Sequence, residues 1–120
     1  MAITTVGLNT VRGLISSPQP VIPTHMAIGS GTTAFAVGDT TLEKENDRNA
    51  LTSYDNSISK IATYVADFSS TEISGVNVSE FGLFNASSNG SLFQREVINN
   101  LVFAGDRELQ IQTSFRISGA

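Results

Sequence analysis

From Glu108 to Ile117 the chain alternates between two kinds of residue. Leu109, Ile111, Thr113, Phe115 and Ile117 share one parity, and Glu108, Gln110, Gln112, Ser114 and Arg116 the other. A period of two is the pattern of a strand with one face buried. It predicts a strand here whose apolar face, interrupted only by Thr113, points into a core. Burying such side chains is worth about 1.5–3 kcal/mol each, so that face needs a second layer to cover it. The opposite face carries Gln110, Gln112 and Ser114, which are polar but uncharged. Such a face can meet a partner at low desolvation cost, so Gln110 and Gln112 are candidate interface residues.

The preceding sequence holds several shorter β signals. Thr24–Ile28 reads as a short strand before a glycine-rich loop. Residues 49–54 and 58–68 read as two strands around a turn at Asp55-Asn56-Ser57. Residues 42–48 form the one dense charge cluster, which suits a helical turn or the start of an exposed strand. In 76–85 the apolar parity changes between Val78 and Phe81, which predicts a bulge or bend near Glu80 or Gly82. Asn85–Gly90 is a turn cluster with Asn89-Gly90 at its centre. Residues 91–98 and 100–104 follow as two short strands. Many short strands separated by turns predict a mainly β fold, an antiparallel β-sandwich or barrel, over residues 24–120.

Residues 1–23 read differently. Leu8, Val11, Arg12 and Ile15 fall at i, i+3, i+4 and i+7 within 5–16, so they share one face of a short helix. Thr4 or Thr5 can cap it, and Gly7 and Gly13 each weaken it by about 1 kcal/mol relative to alanine. Pro18 ends it, and 16–23 is an extended proline-rich linker. The helix is marginal alone, so its apolar stripe must pack on something. Leu8, Val11, Arg12 and Ile15 are therefore candidate interface residues, and packing on the chain's own sandwich is the alternative.

Composition excludes several function classes. The chain has 120 residues, a net charge of -4 and seven Lys and Arg without any run. Nucleic-acid binding and attraction to an anionic membrane both need a basic footprint, so neither partner is expected. There is no Cys, which removes disulfides and thiolate metal sites. No apolar run reaches the ~20 residues of a membrane-spanning helix, and the N-terminus does not read as a signal peptide. Charged residues make up only 15% of the chain. Such a surface suits either extensive protein contact or a turn-rich β protein.

Little in the sequence carries chemistry. His25 is the only histidine. No nucleophile-elbow pattern surrounds any serine, so no catalytic residue is expected. Gly29-Ser30-Gly31-Thr32-Thr33 has the look of a phosphate loop, but no lysine follows and no long helix begins there. Glu43, Glu45, Asp47 and Asp55 are close in sequence without the spacing of a calcium loop. Neither a metal nor a cofactor is expected.

Two stretches, taken in order, resemble a pattern common in small virion proteins of tailed bacteriophages. The first runs His25-Met26-Ala27-Ile28-Gly29-Ser30-Gly31-Thr32-Thr33-Ala34, then Gly38-Asp39-Thr40-Thr41-Leu42 and Glu45 to Arg48. The second runs Val78-Ser79-Glu80-Phe81-Gly82-Leu83-Phe84-Asn85-Ala86, then Gly90-Ser91-Leu92-Phe93-Gln94-Arg95. The resemblance covers about residues 24–117. It implies a β-sandwich structural component of the virion, assembled in the host cytoplasm, with no catalysis. A stand-alone module of this kind suits a capsid decoration or cement protein, a trimer bound to the major capsid protein. A tail or baseplate adaptor is the alternative, and a carbohydrate-binding module is a more distant one, disfavoured by the absence of Trp. Gly29, Gly31, Arg48, Glu80, Gly82 and Arg95 are expected to be structural, with Glu80 paired to Arg48 or to Arg95.

Overall fold

The computed structural model describes residues 2–16 and 22–117. Helix α1 (Thr5–Ser16) is followed by seven strands: β1 (His25–Gly29), β2 (Glu45–Ala50), β3 (Ser53–Asp55), β4 (Ile61–Phe68), β5 (Asn77–Phe84), β6 (Leu92–Val102) and β7 (Leu109–Arg116). They form two antiparallel sheets, one in the order β2-β1-β5-β6 and one in the order β3-β4-β7. The fold is a sandwich, and the sheets do not close into a barrel.

The main core lies between the sheets. Met26, Ile28, Phe81, Leu83 and Phe93 face Ala66, Phe68, Ile111 and Phe115 across it. Tyr64 and Phe93 both meet Phe115 edge-on, with ring centroids 5.8 and 5.0 Å away. That geometry is favourable for aromatic quadrupoles. Thr113 is tolerated in the buried row because its hydroxyl reaches the Gln94 carboxamide. Ile117, expected on the same face, is 70% exposed, because β7 ends at Arg116 and the core stops at Phe115.

The parity change in β5 is real. Val78 points into the core, as do Phe81 and Leu83, and the register with β6 shifts between Val78 and Glu80. The extra residues lie on β6, where Val78 stands opposite Leu101 but Glu80 opposite Val97. This irregularity absorbs the Asn99-Asn100 pair, so β6 is one strand where two were expected. The strand expected over 49–54 is instead divided. Asn49 and Ala50 pair with β1, whereas Ser53 and Tyr54 pair with β4 in the other sheet. The Leu51 N–H donates to Thr24 and the Thr52 N–H to Val65, so the chain crosses between sheets at this point.

Thr4 caps α1 by accepting the Gly7 N–H at 2.9 Å. The helix packs on β6 of its own sandwich, but not through the expected stripe. Gly7 is its buried residue and the half-buried Val11 packs on the core, while Leu8 is 57% and Ile15 87% exposed. A Cβ on Gly7 would lie 2.2 Å from the Phe93 carbonyl oxygen. The glycine that weakens the helix is what lets its backbone approach the sheet. Residues 17–21 of the proline-rich linker lie outside the described residues.

Phe115→Ala is expected to destabilise the protein by about 3–5 kcal/mol in urea denaturation. Ile117→Ala, at the exposed end of the same row, is expected to change stability by less than about 0.5 kcal/mol.

Candidate functional site

β1 and β5 are interior strands, so the four-stranded sheet needs cover on its outer face as well. The long connection 30–44 supplies it. Leu42 from this connection packs with Ala27, Phe84 and Leu92 on that face. What holds the connection down is a buried carboxylate. Glu80 accepts the main-chain N–H groups of Gly31 at 2.7 Å, Glu43 at 2.9 Å and Lys44 at 2.8 Å, and the Arg95 Nε–H at 2.9 Å. Arg95 extends the network to Asp39 at 3.1 Å and to the Thr33 carbonyl at 2.8 Å. The side chains of Glu80 and Arg95 are 0% and 3% exposed. Among the described residues every buried side-chain polar atom has a partner.

The glycines belong to the same construction. A Cβ on Gly29 would lie 2.7 Å from a Glu80 carboxylate oxygen, and one on Gly31 only 2.3 Å from it. Gly82 lets Leu42 and Leu92 close over the sheet, since a Cβ there would meet both side chains at 2.9 Å. Of the two pairings left open by sequence, the structure makes Glu80–Arg95. Arg48 does separate work. It holds Glu45 with two hydrogen bonds, donates to the Ala86 and Asn89 carbonyls, and lies 3.6 Å over the Phe84 ring. It thereby pins the turn at 85–90, where Asn89 and Gly90 both have positive φ.

Electrostatics follow from these contacts. Burial pushes the Glu80 carboxyl up. The Lys44 N–H, the Arg95 guanidinium and the N–H groups of Glu43 and Gly31 outweigh burial and leave it below its ordinary value of 4.5. Glu43 is held down to about 2 by the Thr33 hydroxyl and by the N–H groups of Thr33 and Thr32. These are the amides of the supposed phosphate loop, so its anion is the protein's own Glu43. Of the remaining acids, Asp47 lies within hydrogen-bond reach of Glu72. Glu45 pairs with Arg48, and Asp55 accepts the Ser57 N–H. Among the described residues no three His, Asp or Glu side chains come together as a metal site. His25 shares a hydrogen bond with the Thr24 hydroxyl at 2.8 Å.

A second feature was not legible in sequence. Between α1 and the end of the three-stranded sheet lies an open apolar groove of about 260 Å³, lined by Leu8, Val11, Leu14, Tyr64, Phe93 and Phe115 among others. Ile117 also borders it, and Leu14 in its lining is 42% exposed. Leu8 and Val11 of the expected interface line this groove, whereas Arg12 and Ile15 lie on the exposed side of the helix. Gln110 and Gln112 are exposed on β7, and Gln110 donates to Asp67 at 2.9 Å. Leu14 and Tyr64 were missed because the groove depends on how the helix sits, which Gly7 sets. Asp39 and Glu43 were missed because their partners, Arg95 for Asp39 and the Thr32 and Thr33 N–H groups with the Thr33 hydroxyl for Glu43, lie at distances along the chain that no periodicity marks.

No protein-family model matches the sequence, and no curated protein matches it either.

Because the Glu80 carboxyl titrates lower folded than unfolded, its contribution to stability is complete above about pH 4.5. It is lost as the pH falls through the depressed folded value. Glu80→Gln, which leaves the Arg95 charge buried with Asp39 alone, is expected to cost about 3–5 kcal/mol at neutral pH. In thermal melts run from neutral to acid pH, the variant is expected to show a shallower loss of stability than the parent.

Proposed function

We propose that this chain is a structural subunit of a tailed-bacteriophage particle, a capsid decoration protein that acts by binding the outer shell and not by catalysis. The observation that carries this reading is the apolar groove beside α1, with Leu8, Leu14 and Ile117 exposed in its lining and Ile15 exposed elsewhere on the same helix. Apolar surface gathered at one place on a small protein marks an interaction site. Charge is sparse there: Arg116 is the groove's one charged lining residue. A protein partner therefore fits this face better than a nucleic acid or a charged small molecule does.

The motif residues support the same reading in a different way. Glu80, Arg95, Arg48 and the three glycines spend their polar groups and their close approaches on holding the 30–44 connection and the 85–90 turn. In a virion protein such residues are expected to preserve a shape that others bind. A reactive site would leave some of those groups aimed at open space.

The test is made in the phage whose genome encodes the chain. Purified particles are expected to contain it in a copy number close to that of the major capsid protein. A copy number that is a small fraction of the capsid protein's places it in the tail, and absence from the particle overturns the reading. Leu8→Asp and Ile15→Asp replace exposed side chains, so they are expected to lower stability by about 1 kcal/mol or less. Both are expected to abolish incorporation into particles.

A further inference from the structure

We propose that β7 is a self-association edge: two copies of this chain pair through it, antiparallel and about a two-fold axis at Gln112, to make one continuous six-stranded sheet. The inference does not depend on the virion reading.

A sandwich of two open sheets has four edges, and an edge strand left bare is a template for another strand. Three of the four are blocked here. β6 is paired by residues 2–4 from Phe93 to Arg95, where the Thr4 N–H donates to the Phe93 carbonyl and the Arg95 N–H to the Ala2 carbonyl, both at 3.1 Å; beyond that it carries Glu96, and its ladder with β5 is irregular between Val97 and Leu101. β3 is only 3 residues long. β2 carries Glu45, Asp47 and Arg48, and its pairing with β1 is irregular at Gly29. Among the described residues β7 has none of these devices. It is 8 residues long, has a regular ladder with β4, and is uncharged from Leu109 to Phe115.

The ladder also shows which main-chain groups are turned outward. The Ile117 N–H donates to the Lys60 carbonyl at 2.8 Å, in continuation of the β4–β7 register. Odd-numbered residues of β7 therefore turn their peptide groups toward β4. Gln110, Gln112, Ser114 and Arg116 turn theirs to the free edge, as alternation in an antiparallel pair requires. A second copy must then pair even residues with even residues, which excludes every one-residue slip.

Charge selects among the registers that remain. Glu108 and Arg116 are the charged residues that bracket this segment, and neither forms an ion pair among the described residues. Pairing about Gln112 sets Glu108 of each copy opposite Arg116 of the other, Gln110 opposite Ser114, and Gln112 opposite itself. Both ends are then neutralised at once. A shift of two residues in one direction puts Glu108 opposite Ser114. A shift in the other puts Arg116 opposite Gln110 and leaves Glu108 beyond the ladder. The pleat agrees as well, because Ile111, Thr113 and Phe115 of both copies stay on the inner face. The contact is small beside a standard protein interface, so the dimer is weak in free solution and strengthens where copies are concentrated.

The experiment is analytical ultracentrifugation of the purified chain over a wide concentration range, with charge-swapped variants. Glu108 and Arg116 are exposed, so their reversal leaves the fold intact. Glu108→Arg and Arg116→Glu each place two like-charged pairs in the dimer, and each is expected to weaken it roughly tenfold. The double variant restores opposite charges and is expected to dimerise like the parent. The chain has no cysteine. Gln112→Cys is therefore expected to cross-link to its own copy on mild oxidation, since facing residues of a hydrogen-bonded pair lie about 5.5 Å apart at Cα. Gln110→Cys, which faces Ser114, is expected to cross-link far less. A parent that stays monomeric at every concentration overturns the proposal. So does a dimer indifferent to both charge reversals, or one in which Gln110→Cys cross-links as well as Gln112→Cys.

Discussion

Glu80 is a carboxylate without solvent contact, and its four N–H partners come from three separate stretches of chain. A buried charge left unpaired costs several kcal/mol, so this site holds only if all three stretches arrive together. Gly31 begins the long connection, Glu43 and Lys44 end it, and Arg95 lies on the neighbouring strand β6. The carboxylate therefore fixes both ends of the connection and the β5–β6 register in one place. Leu42 is carried onto Ala27, Phe84 and Leu92 as a consequence. Without that cover, the outer face of the two interior strands would stand in water. This makes the polar network a condition of the outer hydrophobic cluster, although the main core between the sheets is larger.

A sheet protein must also manage what its edges and ends present. The N-terminal segment does this on one side: residues 2–4 cover the β6 edge from Phe93 to Arg95, and α1 packs on the same strand. The helix is brought close by Gly7, and its apolar residues are then shared between the groove and solvent. The same arrangement leaves Leu8, Leu14 and Ile117 exposed around one groove. Those side chains are only partly covered by the chain's own core. They lie on the same side as β7, whose outer edge pairs with no strand among the described residues.

The β class, the strand over 109–116, the turn at Asn89-Gly90 and the helix over 5–16 were legible because each depends on local properties: a period, a cap, a φ preference. The phase change between Val78 and Phe81 was legible for the same reason. Glu80–Arg95 was one of two pairings considered, and it is the one the structure makes. The helix's buried face was misread, since a periodicity count scores Leu8 and Ile15 as apolar and does not score glycine. The division of 49–54 between two sheets was invisible, because β2 and β3 are separated only by Leu51 and Thr52 and no turn residue marks the crossing.

Sequence alone determined that this chain is a mainly antiparallel β protein with a short capped helix, poor in charge and without cysteine. Those are consequences of side-chain alternation and composition, and they hold whatever the strand order. Only the tertiary structure decided which strands share a sheet, which arginine meets Glu80, and which strand edge is left bare. Each of these depends on residues far apart in the chain, such as Gly31 with Glu80 or Ala2 with Arg95. Their proximity is set by the sum of many weak contacts across the core, and no local pattern records that sum.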